Sequence, residues 1–348
     1  MILNRGDDEP LWHGGDLDAA RRRFPGAVEP FIDLSTGINP HPYPLPRLSA
    51  ECFARLPDQA AIETLTAAAA RAYGAASTAQ IVPAPGTQIL LPLVARLVPP
   101  GRAAVLTPGY PEHARAASLA GHSVMAARGL DECGNAALVI LGNPNNPDGR
   151  LFGPSDILAL ATALRRRGGV LVIDEAFADA APPETSVAGA VGCGNIVVLR
   201  SFGKFFGLAG LRLGFALAAP PLAERLRAAL GPWAVSGPAL AVGARALADE
   251  AWIDRTRRRL DEAAAKLDRL LSGSDLTVVG GTSLFRLVHT PVASALFKHL
   301  GGAGIWVRAF PDNAGWLRFG LPGNRQAWQR LHDALASFRH GRRASRGS

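Results

Sequence analysis

The chain has 348 residues, of which 48% are hydrophobic and 19% are charged, with 38 Gly and 27 Pro. This composition excludes a disordered chain, a collagen-like repeat and a small disulfide-stabilised protein, and the length suffices for a large domain with a smaller one. The formal net charge is +8, but Arg339, Arg342, Arg343 and Arg346 all lie near the C-terminus. The charge therefore does not by itself indicate a nucleic-acid partner.

The sequence offers no signal for a membrane, a leader peptide or a metal. No apolar run approaches the ~20 residues that cross a bilayer, and residues 7–9 (Asp-Asp-Glu) stand where a signal peptide would be apolar. Cys52, Cys133 and Cys193 are far apart and lack zinc or redox spacing. We therefore expect a cytoplasmic protein without a metal site, a membrane contact or a bound nucleic acid.

The N-terminal half is predicted to form an arm followed by a large α/β domain. Residues 1–45 are rich in Pro and Gly and are expected to be an extended arm. The large domain is expected over residues 46–230, with strands at 103–106, 138–141, 170–173 and 196–199 and helices at 86–97 and 154–167. These strands are continuous apolar runs, which is typical of parallel strands buried on both faces. The strand–helix–strand order predicts a mostly parallel, doubly wound sheet.

The C-terminal part has a different pattern. One long helical region is predicted over residues 238–271, followed by strands at 277–279 and 284–288. A helix at 292–300, strands at 305–308 and 316–319, and a final helix from Asn324 complete the pattern. We expect a small α+β domain over 231–340 and a basic flexible tail over 341–348.

Polar side chains follow three of the predicted parallel strands, where an open α/β sheet binds its ligands. In chain order these side chains are Asn143, Asn145, Asn146, Asp174, Ser201 and Lys204. The helix that begins at Gly86 presents free backbone N–H groups and the positive end of its dipole, which favours a phosphate. Arg212 can add a bidentate contact to the same phosphate.

An amine, a carboxylate, an amide and a phosphate cradle at one sheet edge suit pyridoxal 5′-phosphate (PLP). We expect Lys204 to form an imine with this cofactor and Asp174 to keep its ring nitrogen protonated. Asn146 is expected to donate to the ring oxygen, and Tyr110 to stack on the ring and take part in catalysis with Lys204 and Asp174. The residues expected to hold the cofactor phosphate are Gly86, Thr87, Gln88, Ser201 and Arg212.

Four segments resemble the fold-type I PLP enzymes of the class I/II aminotransferase family. They are residues 143–149 (Asn-Pro-Asn-Asn-Pro-Asp-Gly), 174–177 (Asp-Glu-Ala-Phe), 201–204 (Ser-Phe-Gly-Lys) and 207–214 (Gly-Leu-Ala-Gly-Leu-Arg-Leu-Gly). The resemblance implies the fold-type I architecture and a homodimer. It also implies that Arg318 grips the substrate α-carboxylate and that Phe177 contacts the cofactor where many members carry Tyr.

Within that family the sequence looks most like the threonine-phosphate decarboxylase branch. The similarity lies in residues 13–15 (His-Gly-Gly), 34–40 (Leu-Ser-Thr-Gly-Ile-Asn-Pro), 232–236 (Pro-Trp-Ala-Val-Ser) and Phe177. It implies decarboxylation of L-threonine O-3-phosphate to (R)-1-amino-2-propanol O-2-phosphate in cobalamin biosynthesis, with Arg308 on the substrate phosphate. The substrate contacts that the resemblance implies are His13, Gly14, Gly37, Asn146, Arg308 and Arg318.

Two alternatives stay open. The same residues would carry out transamination if the substrate Cα–H bond, rather than the bond to the carboxylate, stood perpendicular to the cofactor ring. The chain would then be an aminotransferase of the histidinol-phosphate or another amino-acid type. The second alternative is a PLP-fold protein that binds a ligand without turnover. Regulators of that kind carry a helix-turn-helix ahead of the PLP domain, for which the first 45 residues are too short and too rich in Pro and Gly.

A P-loop hydrolase is excluded because the chain has no Gly-x-x-x-x-Gly-Lys-Ser/Thr motif.

Overall fold

The structure is a computed structural model that describes residues 13–344. The predicted basic tail therefore lies outside the described residues from position 345 onward. The α-helices are α1 (Leu17–Arg23), α2 (Glu51–Ala54), α3 (Gln59–Tyr73), α4 (Thr87–Ala95), α5 (Pro111–Leu119), α6 (Pro154–Arg165), α7 (Phe202–Phe205), α8 (Pro220–Leu230), α9 (Gly237–Leu247), α10 (Glu250–Ser272), α11 (Ala293–Gly302) and α12 (Arg325–Ala344). The strands are β1 (Ile32–Leu34), β2 (Ile81–Ala84), β3 (Arg102–Leu106), β4 (Ser123–Ala127), β5 (Leu138–Gly142), β6 (Val170–Asp174), β7 (Ile196–Ser201), β8 (Gly214–Ala218), β9 (Thr277–Thr282), β10 (Phe285–His289), β11 (Ile305–Ala309) and β12 (Trp316–Gly320).

The chain forms two compact units, and their boundaries differ from the predicted ones. The first unit contains Pro42–Arg255, and the second contains the described parts of Asp8–His41 and Thr256–Ser348. Most of the predicted arm thus belongs to the second unit, because β1 pairs in parallel with β11. The helix α9 stays with the first unit, since it packs so closely that a Cβ on Gly243 would lie 2.4 Å from Leu213 Cδ2.

The first unit is built on a seven-stranded sheet in the order β2-β8-β7-β6-β5-β3-β4. The pairs among β3, β4, β5, β6 and β7 are parallel, and β8 is antiparallel to both of its neighbours. The predicted mostly parallel α/β sheet is therefore confirmed. Its core lies between the sheet and the helices α4, α5 and α8. Each fully buried Leu or Val side chain there contributes about 1.5–3 kcal/mol.

The strand register sets the carboxyl edge of this sheet. Asp174 lies opposite Gly142 of β5 on one side and opposite Leu199 of β7 on the other. Two residues further along β7, Ser201 lies opposite Gly214, which in turn lies opposite Ala84 at the end of β2. The ends of β2, β5, β6 and β7 and the start of β8 therefore share one edge.

The second unit has a five-stranded sheet in the order β1-β11-β12-β10-β9, accompanied by α11 and α12. Only the β1–β11 pair is parallel among the pairs of this sheet. In the antiparallel β11–β12 pair, Arg308 lies directly opposite Arg318. The register therefore places both arginine side chains on one face of adjacent strands.

The C-terminal helices differ from the prediction at two places. The prediction of a single helical region over 238–271 is wrong, because the helix is interrupted between the end of α9 at Leu247 and the start of α10 at Glu250. Asp249 caps α10, since its Oδ1 accepts the Trp252 N–H at 3.0 Å, and Asp is a favoured residue for starting a helix. The last helix, α12, continues to Ala344, so the first four residues of the predicted flexible tail are helical. Between residues 13 and 344, no helix has the length and apolar character needed to span a membrane.

Candidate active site

The N-terminus of α4 forms a cradle with the segment that precedes β8. Gly86 has φ 88°, a conformation that favours glycine, and a Cβ there would lie 2.8 Å from Arg212 Nη2. A Cβ on Gly214 would lie 2.7 Å from the backbone nitrogen of Thr87. Both glycines therefore permit a close approach to the first turn of α4. Free N–H groups beside a guanidinium are suited to a phosphate.

Arg212 has a backbone conformation that is uncommon for a residue with a side chain. Its φ and ψ are 54° and 58°, in the left-handed region. The exposed guanidinium donates from Nη1 to the carbonyl of Ala209 at 3.1 Å. This local geometry directs the guanidinium toward Gly86, in agreement with its predicted role.

Asp174 ends β6 and is held by two donors. Its Oδ1 accepts the backbone N–H of Ala176 at 3.1 Å, and its Oδ2 lies 2.9 Å from Nε2 of His113. The side chains of His113 and Asp174 are 2% and 13% exposed. The Nδ1 atom of His113 is buried and has no hydrogen-bond partner within residues 13–344. We assign the Nε2 proton to the bond with the carboxylate, because an ionised aspartate only accepts.

His113 was not among the residues predicted from the sequence. It lies three residues after Tyr110, in the first turns of α5, and positions three apart share one helix face. The two rings meet edge to face with centroids 5.5 Å apart. The three-residue spacing from Tyr110 could have indicated that His113 lies beside it. The contact of His113 with Asp174 joins residues 61 positions apart, and no local pattern shows such a contact.

Tyr110 and Gln88 are linked to each other. The Tyr110 hydroxyl donates to Gln88 Oε1 at 3.1 Å, and Gln88 Nε2 donates to Glu112 Oε2 at 2.9 Å. The side chain of Gln88 is therefore engaged by α5. Its backbone N–H, in the first turn of α4, is the group that can serve the predicted phosphate contact.

The three asparagines after β5 have different roles. Asn143 exchanges hydrogen bonds with the backbone of Phe152 at 2.8 and 3.3 Å. Asn145 donates to the carbonyl of Pro108 at 2.8 Å and to Asp148 Oδ1 at 2.7 Å. These two side chains are buried and hold the loop. Asn146 is partly exposed, which agrees with its predicted role as the asparagine that contacts a ligand.

Lys204 lies in the short helix α7, directly after β7. Its neighbours Phe202 and Phe205 are fully buried, and Phe202 stacks on Phe206 with centroids 4.3 Å apart. The Nζ atom of Lys204 lies 5.8 Å from the ring centroid of the buried Phe177. The aromatic packing fixes α7 and the backbone of Lys204, while Ser201 at the end of β7 stays partly exposed.

The residues of the first unit fit PLP. The helix N-terminus with Arg212 suits its phosphate, the carboxylate of Asp174 suits its ring nitrogen, and the amine of Lys204 suits its aldehyde. The roles of the individual residues stay predictions. Among residues 13–344, no group of three or more His, Cys, Asp and Glu side chains could hold a metal ion.

The second unit contains the predicted substrate-binding arginines. Arg318 is 7% exposed, and its Nη2 donates to the carbonyl of Ser35 at 2.8 Å. Its guanidinium lies over the ring of Phe285, 4.9 Å from the centroid, and that of Arg308 lies 5.7 Å from the centroid of Phe310. Like charges directly opposite on adjacent strands destabilise a sheet. The pair is therefore suited to a ligand with more than one negative charge.

The N-terminal segment of the second unit approaches Ser35 as well. The Gly15 N–H donates to Ser35 Oγ at 2.8 Å, and a Cβ on Gly14 would lie 2.5 Å from Ser35 O. Of the other predicted substrate residues, His13 is exposed and Gly37 is buried. The structure thus brings Gly14 and Arg318 to the same residue, Ser35.

Comparison with known proteins identifies the family. The sequence model described as aminotransferase class I and II matches residues 29–335. The chain belongs to this family. The resemblance predicted from the four segments is thereby confirmed, as are the fold-type I architecture and PLP as the cofactor of a family enzyme.

Several relatives resemble the chain over most of its length. A threonine-phosphate decarboxylase from Sinorhizobium sp is 43% identical over 94% of this chain and 98% of its own. A threonine-phosphate decarboxylase from Pseudomonas aeruginosa is 41% identical over the same shares. A histidinol-phosphate aminotransferase from Cronobacter sakazakii is 31% identical over 86% of this chain and 88% of its own.

Solved structures agree on the fold. The histidinol-phosphate aminotransferase from Sinorhizobium meliloti, in complex with PLP, has a TM-score of 0.80 at 24% identity and covers 95% of this chain and 96% of its own. The L-threonine-O-3-phosphate decarboxylase from Porphyromonas gingivalis has a TM-score of 0.70 at 20% identity, over 94% and 97%. At these identities the comparison concerns the architecture alone.

Proposed function

We propose that the chain catalyses the PLP-dependent decarboxylation of L-threonine O-3-phosphate, which yields (R)-1-amino-2-propanol O-2-phosphate and CO2. The observation that carries this proposal is the whole-length similarity, at 43% and 41% identity, to two threonine-phosphate decarboxylases. The histidinol-phosphate aminotransferase from Cronobacter is less similar, at 31%. The reaction is therefore assigned to decarboxylation rather than transamination.

The cross-strand arginine pair supports a substrate with two anionic groups. Arg308 and Arg318 are directly opposite in the β11–β12 register, where Cβ atoms are about 4.5–5.5 Å apart. L-Threonine O-3-phosphate carries a carboxylate and a phosphate on adjacent carbons. In the proposal Arg318 binds the carboxylate, and Arg308 binds the phosphate with help from His13, Gly14 and Gly37. Histidinol phosphate has only one anionic group for the two arginines.

The residues of the first unit have separate tasks in this proposal. PLP supplies the electron sink for the bond that breaks at the substrate Cα. Asp174, oriented by His113, would pair with the ring nitrogen, and Arg212 would hold the phosphate of the cofactor together with the N-terminus of α4. Lys204 delivers the proton that replaces CO2 at Cα. Asn146 donates to the ring oxygen and also contacts the substrate. Tyr110 stacks on the ring, and Phe177 contacts the cofactor as well.

Binding of the substrate phosphate decides which bond breaks. An arginine on the phosphate and a second one on the carboxylate fix the rotation about the Cα–N bond. In the proposal this rotation selects the bond to the carboxylate. If the two arginines instead placed the Cα–H bond in the reactive orientation, the same residues would remove the Cα proton and the chain would be an aminotransferase.

The experiment incubates PLP-loaded protein with L-threonine O-3-phosphate and, separately, with histidinol phosphate plus 2-oxoglutarate. We expect CO2 and an amino-propanol phosphate from the first mixture, with no dependence on a keto acid. Unphosphorylated L-threonine is the matched control and should react far more slowly, because Arg308 then has no phosphate to bind. Glutamate formed in the second mixture would assign the chain to the aminotransferases and overturn the proposal.

We also infer a homodimer, which is supported by apolar side chains on the surface of the first unit. Leu45, Phe53, Leu56 and Trp233 are 66%, 69%, 67% and 56% exposed. Phe53 lies on α2, which packs on α9 so closely that a Cβ on Gly237 would lie 2.3 Å from Cys52 O. Exposed apolar side chains of this size are typical of a surface that another chain covers. Light scattering should give twice the chain mass, and a monomer would contradict the inference.

We further propose that the reaction serves cobalamin biosynthesis in the cytoplasm. The support is the branch of the family that the sequence resembles, since its product is an aminopropanol phosphate. Disruption of the gene should create a requirement for cobalamin that added (R)-1-amino-2-propanol O-2-phosphate relieves. Cell fractionation tests the location.

A further inference from the structure

Ser35 follows β1 directly and is 0% exposed. Its backbone N–H and its hydroxyl both donate to Asp33 Oδ1, at 2.8 and 2.6 Å. One carboxylate oxygen therefore fixes the backbone and the side chain of Ser35 together. Because the residue is fully buried, water cannot replace either bond without a rearrangement.

Two predicted substrate-binding segments meet at this one residue. The Ser35 hydroxyl accepts the N–H of Gly15 at 2.8 Å, which ties down the segment with His13 and Gly14. The Ser35 carbonyl accepts Nη2 of Arg318 at 2.8 Å. The Gly14 backbone lies so near that a Cβ would sit 2.5 Å from that same carbonyl oxygen. Side chain and main chain of Ser35 thus serve different partners.

The backbone beyond Ser35 is held from the other side by β12. A Cβ on Gly320 would lie 2.4 Å from the carbonyl oxygen of Thr36, and Arg318 precedes this glycine by two residues. The carbonyl that receives Arg318 therefore belongs to a peptide segment clamped between the Asp33 carboxylate and β12. Such a clamp leaves the guanidinium little freedom to turn.

We propose that Ser35 is a positioning residue for substrate binding, which fixes the Arg318 guanidinium relative to the segment of His13 and Gly14. The inference rests on the proposed function, in which Arg318 binds the carboxylate while His13 and Gly14 help to bind the phosphate. Asp33 acts through Ser35, as the acceptor that holds its hydroxyl. The chemical consequence is a fixed separation between the carboxylate and the phosphate that the site accepts.

Replacement of the hydroxyl tests this role in the PLP-loaded enzyme. In Ser35→Ala the Gly15 N–H and Asp33 lose their shared partner, and we expect the KM for L-threonine O-3-phosphate to rise about tenfold, which corresponds to about 1.4 kcal/mol. We expect kcat to change less than about threefold, and PLP affinity and the visible absorbance of the enzyme to stay unchanged. A merely structural role would lower PLP loading or kcat instead.

The matched control is Ser283→Ala. Ser283 also donates its hydroxyl to an aspartate of the second unit, Asp261 Oδ1, at 2.5 Å, but the pair is exposed. This variant should keep the KM and kcat of the wild type. A KM increase equal to that of Ser35→Ala would show that the loss of any serine–aspartate bond in the unit perturbs binding, and it would overturn the assignment to Ser35.

Asp33 supplies a second test that does not depend on the stability of Ser35→Ala. Asp33→Asn retains an oxygen that can accept both Ser35 bonds, so its KM should stay within about threefold of the wild type, whereas Asp33→Ala should reach the tenfold increase. Equal KM values in the two Asp33 variants would overturn the proposal. In the double variant Ser35→Ala/Arg318→Lys, the increase in KM should be smaller than the product of the two single increases, because both substitutions act on one guanidinium.

The failure of this inference differs from the failure of the proposed function. If wild-type protein releases no CO2, the proposed function has failed, and calorimetric binding of L-threonine O-3-phosphate replaces KM in every comparison above. Tenfold weaker binding by Ser35→Ala would then support the positioning role, and equal binding would overturn it. Absence of binding by the wild type would overturn both.

Discussion

The first unit holds its candidate cofactor residues at the ends of parallel strands, whereas the second holds its arginines within an antiparallel pair. In the first unit, Asp174 ends β6 and Lys204 follows β7 by three residues. In the second unit, Arg308 and Arg318 lie inside β11 and β12, and Arg318 depends on the carbonyl of Ser35 from the N-terminal segment. The candidate cofactor residues thus come from one sheet edge, whereas the candidate substrate residues come from two consecutive strands and from an N-terminal segment distant from them in sequence.

This difference predicts different consequences of mutation in the two units. In the proposed function the first unit provides the amine, the carboxylate and the phosphate cradle for PLP, so loss of these residues should lower kcat or cofactor retention. In the proposed function the arginines of the second unit bind the substrate, so their loss should raise KM. The assignment would be contradicted if substitutions in the first unit raised only KM and substitutions in the second unit lowered kcat or cofactor retention.

The largest effect is expected from Lys204→Ala. Without the amine there is no group to hold the cofactor covalently or to protonate Cα, and turnover of L-threonine O-3-phosphate should fall by roughly 10³-fold or more. The visible absorbance of the PLP-loaded protein should disappear while its circular dichroism is kept. The control is Lys266→Ala, which removes a lysine that lies over the ring of Trp328 in the second unit, 4.3 Å from the centroid. Retained turnover in Lys204→Ala would refute the assignment.

The next effect is expected from Arg308→Ala. Loss of a charged hydrogen-bond donor costs about 1.5–3 kcal/mol, so the KM for L-threonine O-3-phosphate should rise roughly 10- to 100-fold. PLP affinity should not change. Thermal stability should stay equal or increase, because Arg318 loses a like charge opposite to it. Arg258→Ala, an exposed position on α10, controls for net charge, and equal losses of substrate and PLP binding would show that Arg308 is misplaced.

Much of the first unit could be predicted from the sequence because its signals are local. The strands β3, β5, β6 and β7 are continuous apolar runs, and the polar residues that follow them are adjacent in the chain. The roles of Asn143 and Asn145 were beyond such reasoning, since their partners include the carbonyls of Phe152 and Pro108. Only the fold separates these two loop-forming asparagines from the candidate ligand Asn146.

The second unit could be predicted only in outline. Four of its five strands were predicted, but β1 was not. Its pairing with β11 joins residues as distant as Ile32 and Ile305, and local patterns do not specify such pairing. The N-terminal segment was therefore predicted to be an extended arm, and the contact between Ser35 and Arg318 was not predicted. His113 in the first unit was missed for the same reason, because its partner Asp174 lies on another element.

A smaller effect on the first unit is expected from His113→Leu. The Asp174 carboxylate would lose the Nε2 contact at 2.9 Å, and we expect kcat to fall about tenfold with a changed pH dependence of the bound cofactor's absorbance. The matched control is His122→Leu, another buried histidine, which bonds to the carbonyl of Ala95 at 2.7 Å. That variant should lower stability without changing the absorbance. If the two histidine variants behave alike, His113 serves packing and not the orientation of Asp174.

The smallest effect concerns the stability of the second unit at acidic pH. Burial lowers the pKa of His41 below the ordinary histidine value of 6.5, and the nearby charge of Arg259 lowers the pKa further. The unfolded chain therefore binds a proton more readily than the folded one, so the contribution of neutral His41 to stability is present above pH 6.5 and is lost as the pH falls from 6.5 through the lower folded-state pKa. In His41→Gln this loss is absent, so the difference in urea midpoint between the two proteins should change across that window, by a small amount because the imidazole is only partly buried. Parallel midpoint curves from pH 8 to 5 would show that His41 does not titrate differently in the folded unit, since every other group is common to both proteins.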